Sequence, residues 1–565
     1  MDVLAFYFQS MPSLQPYTSP LGQRLAAHLL RRTTYATDKD LILEYAAKTP
    51  QQALDDLLDI QPPSLPEPLD HLTGQHYINS GIAPVAQNYL LRANIRSWWM
   101  EEAIKDHSIG HKLEFFLHSI LVSRIEESGD RSGMAFDHLQ LFRLCSTRFS
   151  TANIDMDSYK ELAYRMTTDN VMLRYLDGAY NHKWAPNENY AREFFELFTI
   201  GRGEQIGPED YTNYTEGDIL EAARLLTGWR VWDRPYASPS TDPEVTDPET
   251  GLQRGYPDYN RHDVDSKQFS AAFQNTIIEG ASNQAGMWTE LREFVDMIFN
   301  QDATAQNLCR RLYRYFVHDI ITPEIESDII APLAVTLKSN DYKLSVALRQ
   351  LLESQHFYDK DDADDSNGII GGLIKSPMDM LLGTMSFFKI DRPDTNTNAL
   401  EHYRTFYHEF VFNGMFVPAG LSLFDPPSVA GYAAYHQEPV YSKNWFNSAT
   451  LIARYKQPQR MLSAGSWNGG VQLDLIDFVA NSGIVSNPAD GTALVNELIA
   501  CLFCESPTQA RADYFLNDVF LDGLSLINWQ FEWQNYVNTG NESSVCIPVK
   551  ALLTAILSSQ EYGCM

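Results

Sequence analysis

A chain of 565 residues is well beyond the roughly 100–200 of a single domain, so it can bury a sizeable core without leaning on disulfides or metal. Its 44% hydrophobic and 21% charged residues match a globular composition and exclude a long disordered chain. Seventy-three acidic against forty-three basic residues give a formal charge of −30, which repels phosphate backbones and sets nucleic acid aside as a partner.

In chain order, Met1 to Ser10 lack a basic region and a small-residue cleavage pattern, so no signal peptide is read and a cytoplasmic location is expected. Residues 1–60 form an N-terminal helical region. Leu25, Leu29, Leu41 and Leu57 predict two amphipathic helices between Gln23 and Leu58, with Thr37 and Asp38 as caps. Residues 61–87 are a linker opening on Gln61-Pro-Pro-Ser-Leu-Pro-Glu-Pro, too rich in proline for helix or central strand. A central helical block follows over 88–232, with helices predicted at Asn88–His107, Lys112–Glu127, Asp157–Leu176, Asn187–Thr199 and Glu216–Leu226.

A long loop over 233–265, full of Pro, Asp, Gly and Tyr, leads to a second helical block at 266–455. That block carries periodic stretches at Thr289–Asn300, Ala303–Val317, Glu324–Ser339, Leu344–Ser354 and Ile374–Phe388, then a loop-rich part from Val417 to Trp445. A C-terminal helical region occupies 456–565. The expected fold is mainly α, a multi-helix globular assembly with long irregular loops. No stretch of about 18 apolar residues runs uncharged, so no membrane-spanning helix is expected.

Six cysteines are too few for a disulfide framework. Cys501-Leu-Phe-Cys504 has the gap of zinc and redox sites, yet no second pair or nearby histidine completes a tetrahedral set, so it reads as buried thiols of one helix. His-Glu-x-x-His, Gly-x-Ser-x-Gly and Gly-x-Gly-x-x-Gly are all missing, which removes the usual support for zinc protease, nucleophile-elbow hydrolase and dinucleotide-binding readings.

The residues with most chemical content lie between Pro186 and Phe198. Pro186 suits a first helical turn, and Asn187, Glu188 and Asn189 place polar groups at its positive end. At helical spacing Asn189, Arg192, Glu193 and Glu196 share one face, opposite Tyr190, Phe194, Leu197 and Phe198. Carboxylates beside so much aromatic surface need a cation or a proton. They either pair internally with Arg174, Arg192, Arg224 or Arg230, or they line a pocket where a divalent metal binds or acid–base work is done. His118 or His262 would then add a nitrogen. Arg261-His262-Asp263 is a candidate base or ligand, or a loop anchor. In Lys375-Ser-Pro377, Ser376 is a natural cap and Pro377 a first-turn residue, with Lys375 within reach of an anionic ligand.

Several blocks together resemble the family called domain of unknown function 1800. They are Pro16-Tyr-Thr-Ser-Pro-Leu-Gly, Ala27-His-Leu-Leu-Arg-Arg-Thr-Thr-Tyr35, Leu173-Arg-Tyr-Leu-Asp-Gly178, Ala185 to Gly201, Ala222 to Arg230, Arg261-His-Asp263, Lys375-Ser-Pro377, Phe424 to Gly431 with Trp445, and Glu561-Tyr562. The resemblance covers most of residues 16–565. It implies a bacterial protein, often encoded beside a second family and so with a protein partner, and it assigns no reaction. Where the family often has Trp-His-Asn-His-Phe, this chain has Leu117-His-Ser-Ile-Leu121 and keeps only His118.

The sequence thus points to a ligand-binding or scaffold protein with a polar acidic pocket. Asp177, Asn187, Glu188, Asn189, Arg192, Glu193, Glu196, Arg230 and His262 would build it, and Lys375 is a further ligand-binding candidate. The alternative is a metal-assisted hydrolase in which Glu193 or Glu196, with His118 or His262, activates water. The single-pocket reading requires the signature blocks to converge.

Overall fold

The computed structural model describes residues 12–59, 67–208, 210–233, 239–361, 368–461 and 473–565. The first ten residues, the stretch Gln61 to Pro66 of the proline-rich linker and residues 234–238 of the 233–265 loop lie outside these. The fold is mainly α-helical, and its strands are two- or three-residue pairs. Among the described residues no helix is long and apolar enough to cross a membrane.

Caps set many of the helix starts. Asp38 accepts from the Leu41 amide at 2.9 Å and opens the helix Lys39–Ala46. Thr49 and Gln52 form a capping box with Pro50 in the first turn, so the expected two N-terminal helices are three: Gly22–Thr33, Lys39–Ala46 and Pro50–Leu58. Ser376 caps Pro377–Phe387 as its tripeptide predicts, with Asp379 returning a bond to the Ser376 amide at 3.0 Å. The signature helix begins at Asn189, two residues later than read, and widens into a π-helical turn over Phe194–Phe198. The helix Gly491–Leu502 stops short of Cys504, so Cys501 and Cys504 do not share it, and both thiols are free.

Two apolar cores form. The first gathers the N-terminal helices, the 159–226 region and the helices Gln284–Phe299, Asp302–Phe316, Ala331–Ser339 and Leu344–Leu352. The second gathers Asn88–Lys105, Pro377–Phe387, the long π-helical segment Glu401–Phe416 and the C-terminal helices. Gly110–Ile120 and Ser132–Ser146 serve both: Phe116 and Phe142 enter the first core, Phe115 and Phe136 the second. These two helices are the seam of the molecule.

Glu114 sits in that seam at 1% exposure, 3.5 Å from Arg143. Burial pushes its carboxyl up to about 7, despite the opposing pull of Arg143. The folded protein therefore holds this proton over a pH range in which the unfolded chain has lost it. Stability associated with Glu114 is full below the ordinary 4.5 and is lost as pH rises through about 7. Glu114→Gln should flatten that fall, read as urea midpoints at pH 5 and pH 8. Equal pH slopes in both proteins would refute the assignment.

Candidate functional site

Three of the signature blocks meet around Asn181. Its side chain accepts from the Asn187 amide at 2.9 Å and donates to the Ala223 carbonyl at 2.9 Å, and its own carbonyl accepts from Gly228 at 3.0 Å. The Lys183 amide donates to the Arg261 carbonyl at 2.8 Å. Gly228 has a φ of +88°, and a Cβ there would meet the Asp258 carbonyl at 2.8 Å and His262 Cα at 3.1 Å, so only glycine lets these segments pack. The blocks at 173–201, 222–230 and 261–263 thus form one hydrogen-bonded unit.

Within it most charges are paired. Glu196, its side chain 6% exposed, accepts from Tyr214 at 2.8 Å and Arg202 Nε at 2.8 Å, with Arg192 at 3.7 Å. Arg192 reaches Glu188 at 2.8 Å and clasps Glu216 with both terminal nitrogens. Asn189 donates to Asp177 at 3.0 Å, and Arg230 to the Ala179 carbonyl at 3.0 Å. Arg224 holds Asp263 through two bonds, and Arg174 pairs with Asp233. Arg202 and Tyr214, the main partners of Glu196, escaped the sequence reading. Glu193 is half-buried and makes no ion pair among the described residues; burial and the neighbouring Glu196 push its carboxyl upward.

Among the described residues neither candidate histidine bonds to Glu193 or Glu196. His262, 1% exposed, donates from Nδ1 to the Thr227 carbonyl at 2.8 Å, and its Nε2 lies 2.7 Å from Glu290. Glu290 in turn holds Lys267 at 2.5 Å and accepts from the Ala281 amide at 3.0 Å. His118 is buried in the seam, 3.5 Å from Ser123 Oγ, and burial drops its basicity well below the usual histidine range. Ser123 Oγ lies 2.6 Å from His138 Nε2, and His138 Nδ1 lies 2.7 Å from Asp169. This serine–histidine–aspartate relay was not legible in the sequence. Ser123 and His138 are both 0% exposed, so the relay has no face open to a substrate. Among the described residues no group of three or more His, Cys, Asp or Glu side chains is placed to hold a metal ion.

Lys375 belongs to a different centre, built from blocks at both ends of the chain. Arg31 and Arg32 close the helix Gly22–Thr33, Lys112 comes from the seam, Lys375 precedes Pro377–Phe387, Arg454 lies in Thr450–Met461, and Tyr562 ends the chain's last turn. Arg31 donates to the Cys501 carbonyl at 2.6 Å and the Phe503 carbonyl at 3.0 Å. Arg32 donates to the backbone oxygens of Ile369 at 2.9 Å and Met565 at 2.5 Å. Lys112 pairs with Asp379 and donates to the Arg31 carbonyl at 3.2 Å. Arg454 donates to the Lys375 carbonyl at 2.8 Å.

Arg32 and Arg454 are each 1% exposed, and each keeps Nε and Nη1 buried with no acceptor among the described residues. Lys375 Nζ lies 3.8 Å from the centre of the Tyr562 ring. Burial, reinforced by Arg31, drops the Lys375 amine to about 7, and burial holds Arg32 and Arg454 near 10. Two small cavities flank the centre. One of about 40 Å³ is lined by Arg31, Lys375, Asp379, Cys501 and Tyr562; one of about 20 Å³ by Arg32, Lys112, Ser376, Asp379 and Tyr435. A wider recess of about 1150 Å³ adjoins them, where Ile374, Cys504, Glu561 and Cys564 reach its wall beside Gly371 and Gly372.

A further cleft of about 770 Å³ is lined by Glu101, Glu102, Lys105, Asp391, Arg392 and His402. Its charges are cross-paired: Glu101 meets Arg392 at 2.8 Å and Lys105 at 2.9 Å. Burial raises Glu101, but Arg392, the Tyr407 hydroxyl and Lys105 outweigh it and hold the carboxyl low.

No curated protein and no solved structure gives a significant match to this chain. A family model described as a protein of unknown function (DUF1800) matches residues 28–562, nearly the whole sequence, and the chain belongs to that family.

Proposed function

We propose that the protein binds a small anionic ligand, a phosphate or a carboxylate, in the cationic centre around Arg31, Arg32, Lys375 and Arg454. The observation that carries this reading is the set of buried guanidinium nitrogens on Arg32 and Arg454 that have no acceptor among the described residues. A buried donor left unmade costs about 1–3 kcal/mol, and more when charged, so an oxygen-rich anion recovers what the fold alone forgoes. Asp379 is the carboxylate that lines both flanking cavities, and it is already held by Lys112 and the Ser376 amide. In a chain of charge −30, a buried patch with this excess of cations stands out. The signature unit around Asn181 has most of its charges satisfied internally, which supports a scaffolding part for it.

The test is calorimetric titration with phosphate and with acetate, against chloride at equal ionic strength. Binding of at least one is expected, and Arg32→Lys, which keeps the charge but loses the planar fork, should weaken it about tenfold. Circular dichroism checks that the variant is folded. Failure of both anions to bind the native protein overturns the reading.

A further inference from the structure

Among the cations of this centre, Lys375 is placed to react as well as to attract. It is 5% exposed, its amine makes no hydrogen bond or ion pair among the described residues, and that amine lies over the face of Tyr562 on the wall of the 40 Å³ cavity. The guanidinium of Arg31 lines the same cavity. An anion drawn in by Arg31 therefore has the Lys375 amine beside it. The cavity exceeds the roughly 10–15 Å³ that one water needs, which suits a ligand of a few heavy atoms.

The geometry points to a small anionic carbonyl compound, a 2-oxo acid, as the ligand, its carboxylate facing Arg31 and its carbonyl forming an imine with Lys375. This rests on the anion-binding reading above. The nitrogen lone pair of Nζ attacks the carbonyl carbon to form the C–N bond. The carbonyl oxygen then leaves as water with the two amine protons, and C=N replaces C=O. No oxidant or reductant is needed. Burial and neighbouring positive charge favour the neutral, nucleophilic amine, the condition such chemistry requires near neutral pH. Tyr562 supports the position: its hydroxyl is held 2.5 Å from Thr384 Oγ1, which fixes the ring beneath the amine.

The experiment incubates the whole protein with pyruvate, then borohydride, and maps the reduced secondary amine by peptide mass spectrometry. At pH 8 Lys375 should label roughly a hundredfold more than an exposed lysine, whose amine stays protonated to about 10.4. Labelling should rise as pH increases through about 7. Acetone, which has the carbonyl but no charge, should label far less. Lys375→Met should lose the adduct. No adduct at Lys375 in a protein that still binds phosphate overturns the imine and leaves the anion site standing. No adduct and no anion binding removes both.

Discussion

Replacing Glu290 with alanine is expected to cost about 3–5 kcal/mol of stability, the usual penalty for stripping one partner from a buried ion pair. Glu290 is 2% exposed and serves three donors: His262, Lys267 and the Ala281 amide. Without it Lys267, which is 0% exposed, keeps the Asp263 carbonyl and a distant Asp263 carboxylate at 4.0 Å. His262 is then released from one side, and the 261–263 segment loses its tie to the helix Gln284–Phe299. Urea denaturation reads the effect directly. The double variant Lys267→Met, Glu290→Met should recover much of the loss, since an apolar pair avoids the stranded charge. A cost below about 1 kcal/mol for Glu290→Ala would mean that water reaches Lys267.

The second large effect is expected at Asp379. Asp379→Ala strands Lys112, which is 2% exposed and otherwise donates to the Arg31 carbonyl. About 3–5 kcal/mol follows from the unpaired ammonium, with about 1 kcal/mol more from the broken capping box at Ser376. The loss carries a signature that an ordinary core defect lacks. Added phosphate should restore more stability to the variant than to the native protein, because it supplies the negative charge that was removed. Equal phosphate effects in the two proteins would show that Asp379 acts as a local cap alone.

The parts of this fold legible in the sequence are those written over three or four residues. The Ser376 cap with Pro377, the Asp38 cap, and the helices at 88–105 and 216–225 all follow from local pattern. The helix Ser132–Ser146 left no such trace. Thirteen of its fifteen residues are buried, so it has no polar face and no amphipathic stripe to detect. Glu401–Phe416 is hidden for a related reason, its aromatic residues running round a π-helical spiral that does not keep the α period.

The candidate site divides in the same way. Asn189, Arg192, Glu193 and Glu196 were found because helical spacing lines them up, and Arg192 was foreseen as a partner. Arg202 and Tyr214 were not, because the turn after the helix folds back on it. Lys375 was singled out by its tripeptide, but its company was invisible. Arg31 reaches the Phe503 carbonyl across 472 residues of sequence, and no periodicity records a meeting of that span. The resemblance marked the block around Arg31 and Arg32 without indicating that it meets Lys375 and Tyr562.

The seam has a consequence for how the molecule comes apart. Because Gly110–Ile120 and Ser132–Ser146 pack into both cores, neither core can melt and leave the other intact. A chain this long would ordinarily lose its halves one after the other. Here the shared helices join them into one cooperative unit. Lys112 stands on one of those helices and faces the cationic centre, so an anion captured there braces the whole chain and not one half, and its binding should register as a single sharper melting transition.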